Sequence, residues 1–202
     1  SGDLYDLLVG HETGHAFETP ADGWHDAVIA DMGMKSFLNV VEDVRIERLV
    51  QNRYPGLRKS FIRGYKRLMD MDFFGVQGID LSKLPLIDRI NLHFKVGGLL
   101  ALSFSEAEQP LVDQVNSVQT WDDVIAAANA LREYSKDEAS ALQDMFDELD
   151  FNDEESGDQD VEGQQPQSQQ LVIEPRLLQV MYRTVQLVHT ISVRLETLTL
   201  IH

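Results

Sequence analysis

The residues His11-Glu12-Thr13-Gly14-His15 carry the clearest chemical content of the chain. On a helix of about 3.6 residues per turn, positions four apart lie one above the other, so Leu4, Leu8, His11 and His15 share a stripe. Two imidazoles on such a stripe can converge on one metal ion. Glu12, one step round the helix, can reach a water on the same ion. The H-E-x-x-H spacing is the mark of zinc peptidases for this mechanical reason. It lies inside an apolar run, Leu4–Phe17, that reads as a helix ending before Thr19-Pro20, because the residue before a proline disfavours helical dihedrals. The plain alternative is a pair of satisfied histidines on a buried helix.

Two histidines leave a tetrahedral site in need of a third protein ligand, with water in the fourth place. The chain has no cysteine, so a thiolate site and a disulfide framework are both excluded. Imidazole and carboxylate remain, which suit Zn²⁺ in a catalytic setting. The other histidines are His25, His93, His189 and His202. The strongest carboxylate candidates stand on the next long helix, read as Lys35–Tyr54.

Helical geometry ranks those acids. The apolar centroid of Phe37–Val50 lies near Val41; at about 100° per residue, Arg45 falls about 40° from it, Glu42 about 100° and Asp43 about 160°. Glu42 therefore flanks the buried face and is the expected third ligand. Asp43, nearly opposite, is the reserve. Arg45 near an apolar face requires a partner, either as a structural ion pair or as a group that steadies a ligand or substrate. Tyr54, Tyr65, His25 and Arg45 are all open as stabilisers of a developing oxyanion. His93 has a modest claim as a donor behind the ligands.

Further helices are expected at Trp24–Met32 (after a turn at Ala21–His25), Leu57–Met71, Leu86–Val96, Ser105–Val118 and Trp121–Leu149. The two last carry cap signals, Ser105 with Glu108 and Thr120 with Asp123. The expected fold is mainly α, with little or no sheet, and residues 1–149 form the metal-bearing domain. Asn152–Gln170 is acidic and glutamine-rich with one apolar residue, Val161, and reads as a disordered linker over residues 150–171. Residues 172–202 form a tail with helical periodicity that ends in a strand-like TLTLIH.

The formal net charge is −17, which argues against non-specific nucleic-acid binding by the whole molecule. The distribution is uneven. Ten acidic residues fall between Asp144 and Glu162, whereas eight of the seventeen basic residues lie between Arg45 and Arg67. Those basic residues are the basis of a weaker reading as a nucleic-acid surface. No apolar run is long enough to span a membrane, and no targeting segment opens the chain. The expectation is a soluble, intracellular protein with no membrane partner. The abrupt start at Ser1-Gly2 suggests a fragment or processed form.

The segments LYDLLVGHETGHAFETPADGWHDAV, FLNVVEDVRIERLVQNRYPGLRKSF and LIDRINLHFK together resemble a zinc metallopeptidase of T4-like tailed phages. H-E-x-G-H-A with a downstream E-D-x-R-x-E is also similar to the metallopeptidase-like segment that precedes von Willebrand A domains in the cobaltochelatase subunit and the nitric-oxide-reductase activation protein. The similarity spans residues 3–104. It implies a zincin-like helical domain, a peptidase with Zn²⁺ on His11, His15 and Glu42, and Glu12 as general base. It also implies action on a polypeptide in the cytoplasm of a phage-infected bacterial cell, or association with the virion. The acidic stretch matches the linker such proteins place before the von Willebrand A domain. No D-x-S-x-S motif is present, and the chain after Gln170 is too short for that domain. The competing reading is a non-catalytic interaction module whose structural metal site accompanies a linker and tail that recruit an ATPase or virion component.

Overall fold

The structure is a computed structural model that describes residues 2–153, with the side chains of the last helix described as far as residue 141. Among the described residues seven α-helices follow one another: α1 (Gly2–Glu18), α2 (Ala21–Ala30), α3 (Lys35–Arg53), α4 (Leu57–Asp70), α5 (Leu86–Val96), α6 (Gln109–Ser117) and α7 (Trp121–Asp153). Short 3₁₀ turns lie at Met32–Met34, Leu81–Lys83 and Gly97–Leu99. No strand occurs among the described residues, so the fold is mainly α.

α3 is the axis of the molecule. It touches α1, α5, α6 and α7, and apolar residues leave it in several directions. Phe37, Leu38, Val40, Val41 and Val44 join one core with Leu86, Ile87 and Ile90 of α5, Val112 and Val115 of α6, and Val124, Ala127, Ala128 and Leu131 of α7. Val50 joins a second core with Leu7 of α1, Phe61, Tyr65 and Leu68 of α4, Phe74, and Leu92 and Val96 of α5. A helix enclosed this way has no single polar face. Twelve residues of α3 are buried, among them Glu42, Asp43, Arg45 and Glu47.

The helix starts and stops follow local chemistry. α2 begins directly after Pro20, earlier than the turn expected over Ala21–His25, and α1 ends at Glu18. The Thr120–Asp123 cap forms as a reciprocal pair: Thr120 N donates to Asp123 Oδ2 at 2.8 Å and Asp123 N to Thr120 Oγ1 at 3.2 Å. Ser105 and Glu108 exchange the same two bonds, at 2.8 and 3.3 Å, but regular helix begins only at Gln109. Glu108 is also gripped by Arg89 of α5. α7 runs to Asp153, past the domain boundary expected at residue 149. The remainder of the acidic linker and the tail, with His189 and His202, lie outside the described residues.

α1 lies unusually close to its neighbours. A Cβ on Gly14 would stand 2.9 Å from Ile46 Cδ1 and 3.0 Å from Val50 Cγ2 of α3. A Cβ on Gly64 of α4 would stand 2.9 Å from Leu7 Cβ and 3.0 Å from the carbonyl oxygen of Asp3. These two glycines let the backbones of α3 and α4 approach α1, which sets the histidine stripe against α3.

Candidate metal centre

The close approach of α1 to α3 brings His11 and His15 against Asp43. His15 Nε2 lies 3.2 Å from Asp43 Oδ1 and His11 Nε2 lies 3.7 Å from the same oxygen. One ligand atom from each of the three residues falls within 4.8 Å of the others. A tetrahedral zinc with ligands at about 2.0–2.1 Å has ligand–ligand edges of about 3.3 Å, so the donor set fits that ion with small adjustment.

Hydrogen bonds on the far side of the two imidazoles set which ring nitrogen faces Asp43. His11 Nδ1 lies 2.9 Å from Glu47 Oε1, a carboxylate that can only accept, so Nδ1 carries the proton. Thr19 donates its single hydroxyl proton to Glu42 Oε1 at 2.5 Å. Thr19 Oγ1 must then accept from His15 Nδ1, 3.0 Å away. Nε2 is therefore the nitrogen that each ring turns toward Asp43, with His15 Nε2 hydrogen-bonded to Oδ1; a metal ion would take the place of the proton there.

Glu42 was the expected third ligand and Asp43 the reserve; the structure brings Asp43, not Glu42, against the two imidazoles. Glu42 is fully buried, and its carboxylate is held by Arg45: Nε donates to Oε2 at 2.8 Å and Nη2 to Oε1 at 2.7 Å. Arg45 Nη2 also donates to the Glu18 carbonyl at 2.7 Å, satisfying the C-terminal end of α1. Arg45 is thus a structural ion pair and is buried, which removes it both from the oxyanion candidates and from the exposed basic surface. The ranking assumed one buried face. α3 has several, and the side opposite Val41 is the side that faces α1.

Lys95 of α5 completes the surroundings. Its Nζ donates to Asp43 Oδ2 at 2.7 Å, which leaves Oδ1 facing the imidazoles. Tyr65 of α4 donates its hydroxyl to Glu47 Oε1. Burial alone would raise the Asp43 pKa, but Lys95 and the two imidazoles outweigh it and hold the carboxyl far below its ordinary range. Burial alone would lower His11; Asp43 and Glu47 reverse that and raise it. Lys95 is likewise raised, because Asp43 and Glu47 overcome its desolvation. Burial and then Glu47 push the Tyr65 hydroxyl well above its usual value, so it stays a donor.

The three ligand atoms open onto a cleft of about 740 Å³. Glu12 is exposed and lines it beside the histidines, as the H-E-x-x-H spacing requires. Leu8, Trp24, Leu68, Phe73 and Phe74 form apolar parts of the wall. His25 and Tyr65 also line it; Tyr54 does not. His93 lies apart, packed edge-on against Phe94 and Phe104. Sequence reasoning missed Thr19, Glu47 and Lys95. Glu47 stands four residues after Asp43 and so shares its face, a signal that was present once Asp43 was placed. Lys95 is 52 residues from its partner and carried no local signal.

Compared with known proteins, the chain matches no protein-family model, no curated protein and no solved structure.

Proposed function

We propose that this protein is a zinc-dependent peptidase, with His11, His15 and Asp43 as metal ligands and Glu12 as general base. The observation that carries the reading is the convergence of the two imidazoles and one carboxylate oxygen on the wall of a cleft where Glu12 is exposed. Among the described residues no fourth His, Asp or Glu joins the group. An open fourth position favours catalysis over a closed structural site. A helix bearing H-E-x-x-H followed by a helix bearing the third ligand is the zincin-like arrangement, and the resemblance to phage metallopeptidases points the same way. That resemblance also suggests action in the cytoplasm of an infected bacterial cell, or with the virion.

When bound, zinc would supply Lewis-acid polarisation of the scissile carbonyl and acidify the attacking water. Glu12 takes one proton from that water as its oxygen attacks the carbonyl carbon. It then passes the proton to the amide nitrogen as the C–N bond breaks. Glu47 and Thr19 hold the two imidazoles by Nδ1, so that Nε2 would be the nitrogen available to the ion. Lys95 fixes Asp43 so that Oδ1 is presented. The apolar walls exclude water from an extended polypeptide lying in the cleft.

Purified full-length protein should carry about one zinc per chain, measured by elemental analysis. Glu12→Gln should keep that zinc and lose at least about 10²-fold in hydrolysis of an unfolded protein substrate. Wild-type protein that holds zinc yet cuts nothing across a broad peptide library would end the peptidase reading and leave the metal centre.

A further inference from the structure

A second cleft, of about 280 Å³, lies beside the first and shares Lys95 with it. Its lining is mixed: three cations, Arg48 of α3, Arg58 of α4 and Lys95 of α5, stand among Gln51, Asn52 and Asn116, with Val44 and Phe94 as apolar wall. Glu47 is the one carboxylate in that lining. Glu47 Oε1 already accepts from His11 and Tyr65.

Arg48 is the unusual member. Its Nη1 donates to the Asn116 carbonyl at 2.5 Å, while its Nη2 is buried with no hydrogen-bond partner among the described residues. The side chain as a whole is half-buried, but an unpaired buried donor is costly, and a guanidinium meets that cost best with a carboxylate or phosphate. The chain has 34 acidic residues against 17 basic ones, yet among the described residues Arg48 pairs with none of them. Its neighbour is instead Arg45; desolvation first, and then that like charge, lower the Arg48 pKa. Arg58 is exposed at the cleft and uses Nη2 on Asn52 Oδ1 at 2.9 Å, which orients the Asn52 amide without neutralising the guanidinium. Lys95 spends one of three ammonium protons on Asp43.

We propose that this second cleft is a binding site for a compact oxyanion, a phosphate or a free carboxylate, held by Arg48 and Arg58 with Lys95 at its inner wall. The anion supplies the counter-charge that Arg48 lacks among the described residues, and a turn of the guanidinium would bring its buried Nη2 out to the cleft to donate. The volume is several times the ~30 Å³ share of one water, enough for such a group and its residual hydration. None of its donors is a proposed metal ligand, and Arg48 and Arg58 make no contact with His11, His15 or Asp43, so the site does not need the metal reading even though Lys95 also holds Asp43.

The test is titration calorimetry on the full chain with inorganic phosphate, repeated with a chelator present. A second arm uses a short peptide ending in a free carboxylate and its amidated twin. At least one oxyanion should bind with the chelator present, and in the peptide arm the amide should not. Arg48→Met should weaken binding by at least tenfold, the size of one lost charge-assisted hydrogen bond. Arg58→Met, at an exposed position, should weaken it by several-fold without disturbing the fold. Lys66→Met removes the same charge from an exposed α4 residue paired with Asp70, and should leave binding unchanged. Absence of binding in both arms, loss of binding on chelation, or equal weakening by Lys66→Met would overturn the proposal.

Discussion

Asp43 and Glu42 are adjacent carboxylates with opposite assignments, and their substitutions should separate cleanly. Asp43 presents Oδ1 to both imidazoles, whereas Glu42 reaches the site only through Thr19 and His15. Asp43→Asn is expected to weaken zinc binding by more than the roughly 10–100-fold that loss of an orienting partner costs, and Glu47→Gln to fall within that range. Competition with a fluorescent zinc chelator measures both. Glu42→Ala acts on the fold instead. It leaves Arg45 buried without its carboxylate, which should cost about 3–5 kcal/mol in urea unfolding. A folded Glu42→Ala protein of unchanged stability that has lost its metal would return the ligand role to Glu42.

Among the elements, the register of α1 against α3 decides whether the histidine stripe reaches Asp43. The glycine within the H-E-x-x-H stretch serves this contact, since Gly14 is where Ile46 and Val50 press closest. Gly14→Ala should cost about 1–3 kcal/mol by overpacking and should weaken zinc binding too, because the strain is relieved by moving α1 away from its partner carboxylate. Gly64→Ala meets Leu7 Cβ and the Asp3 carbonyl oxygen, atoms that cannot swing aside. It should destabilise by a similar ~1–3 kcal/mol. Thermal unfolding with and without zinc reads both effects. If Gly14→Ala left stability and metal affinity at wild-type values, the close contact would not be what sets the site.

For the molecule as a whole, pH should act through Asp88 of α5. Its Oδ2 is buried without a partner among the described residues, and burial raises its pKa from 3.8 to about 7. Between those values the folded chain retains a proton that the unfolded chain has released. Stability from this group therefore falls as pH rises through the window, and below it both states are neutral. Asp88→Asn removes the titration. Its stability relative to wild type should rise between pH 4 and pH 8 by on the order of 3 kcal/mol, read as the difference between two urea series so that pH-independent effects cancel. A constant difference would mean that Asp88 is solvated or paired in the folded state.

Much of the helical plan was legible because its signals are local. Proline after Thr19 and Tyr54, apolar periodicity along α4 and α5, and the Thr120–Asp123 cap each act within a few residues. The pairing of His11 with His15 was legible for the same reason, since one turn of helix places them together whatever surrounds it. The carboxylate that meets them was not a local matter. It depended on which sides of α3 were covered, and a helix enclosed by four others hides that from a single-face projection. Lys95 on Asp43, Glu47 behind His11 and the unpaired Arg48 each come from helices meeting across the core. The sequence by itself thus determined the helices and the paired imidazoles, through short-range backbone geometry. Only the tertiary packing decided which carboxylate faces them and which cations were left without a counter-charge, because burial and ion pairing are settled between elements distant in the chain.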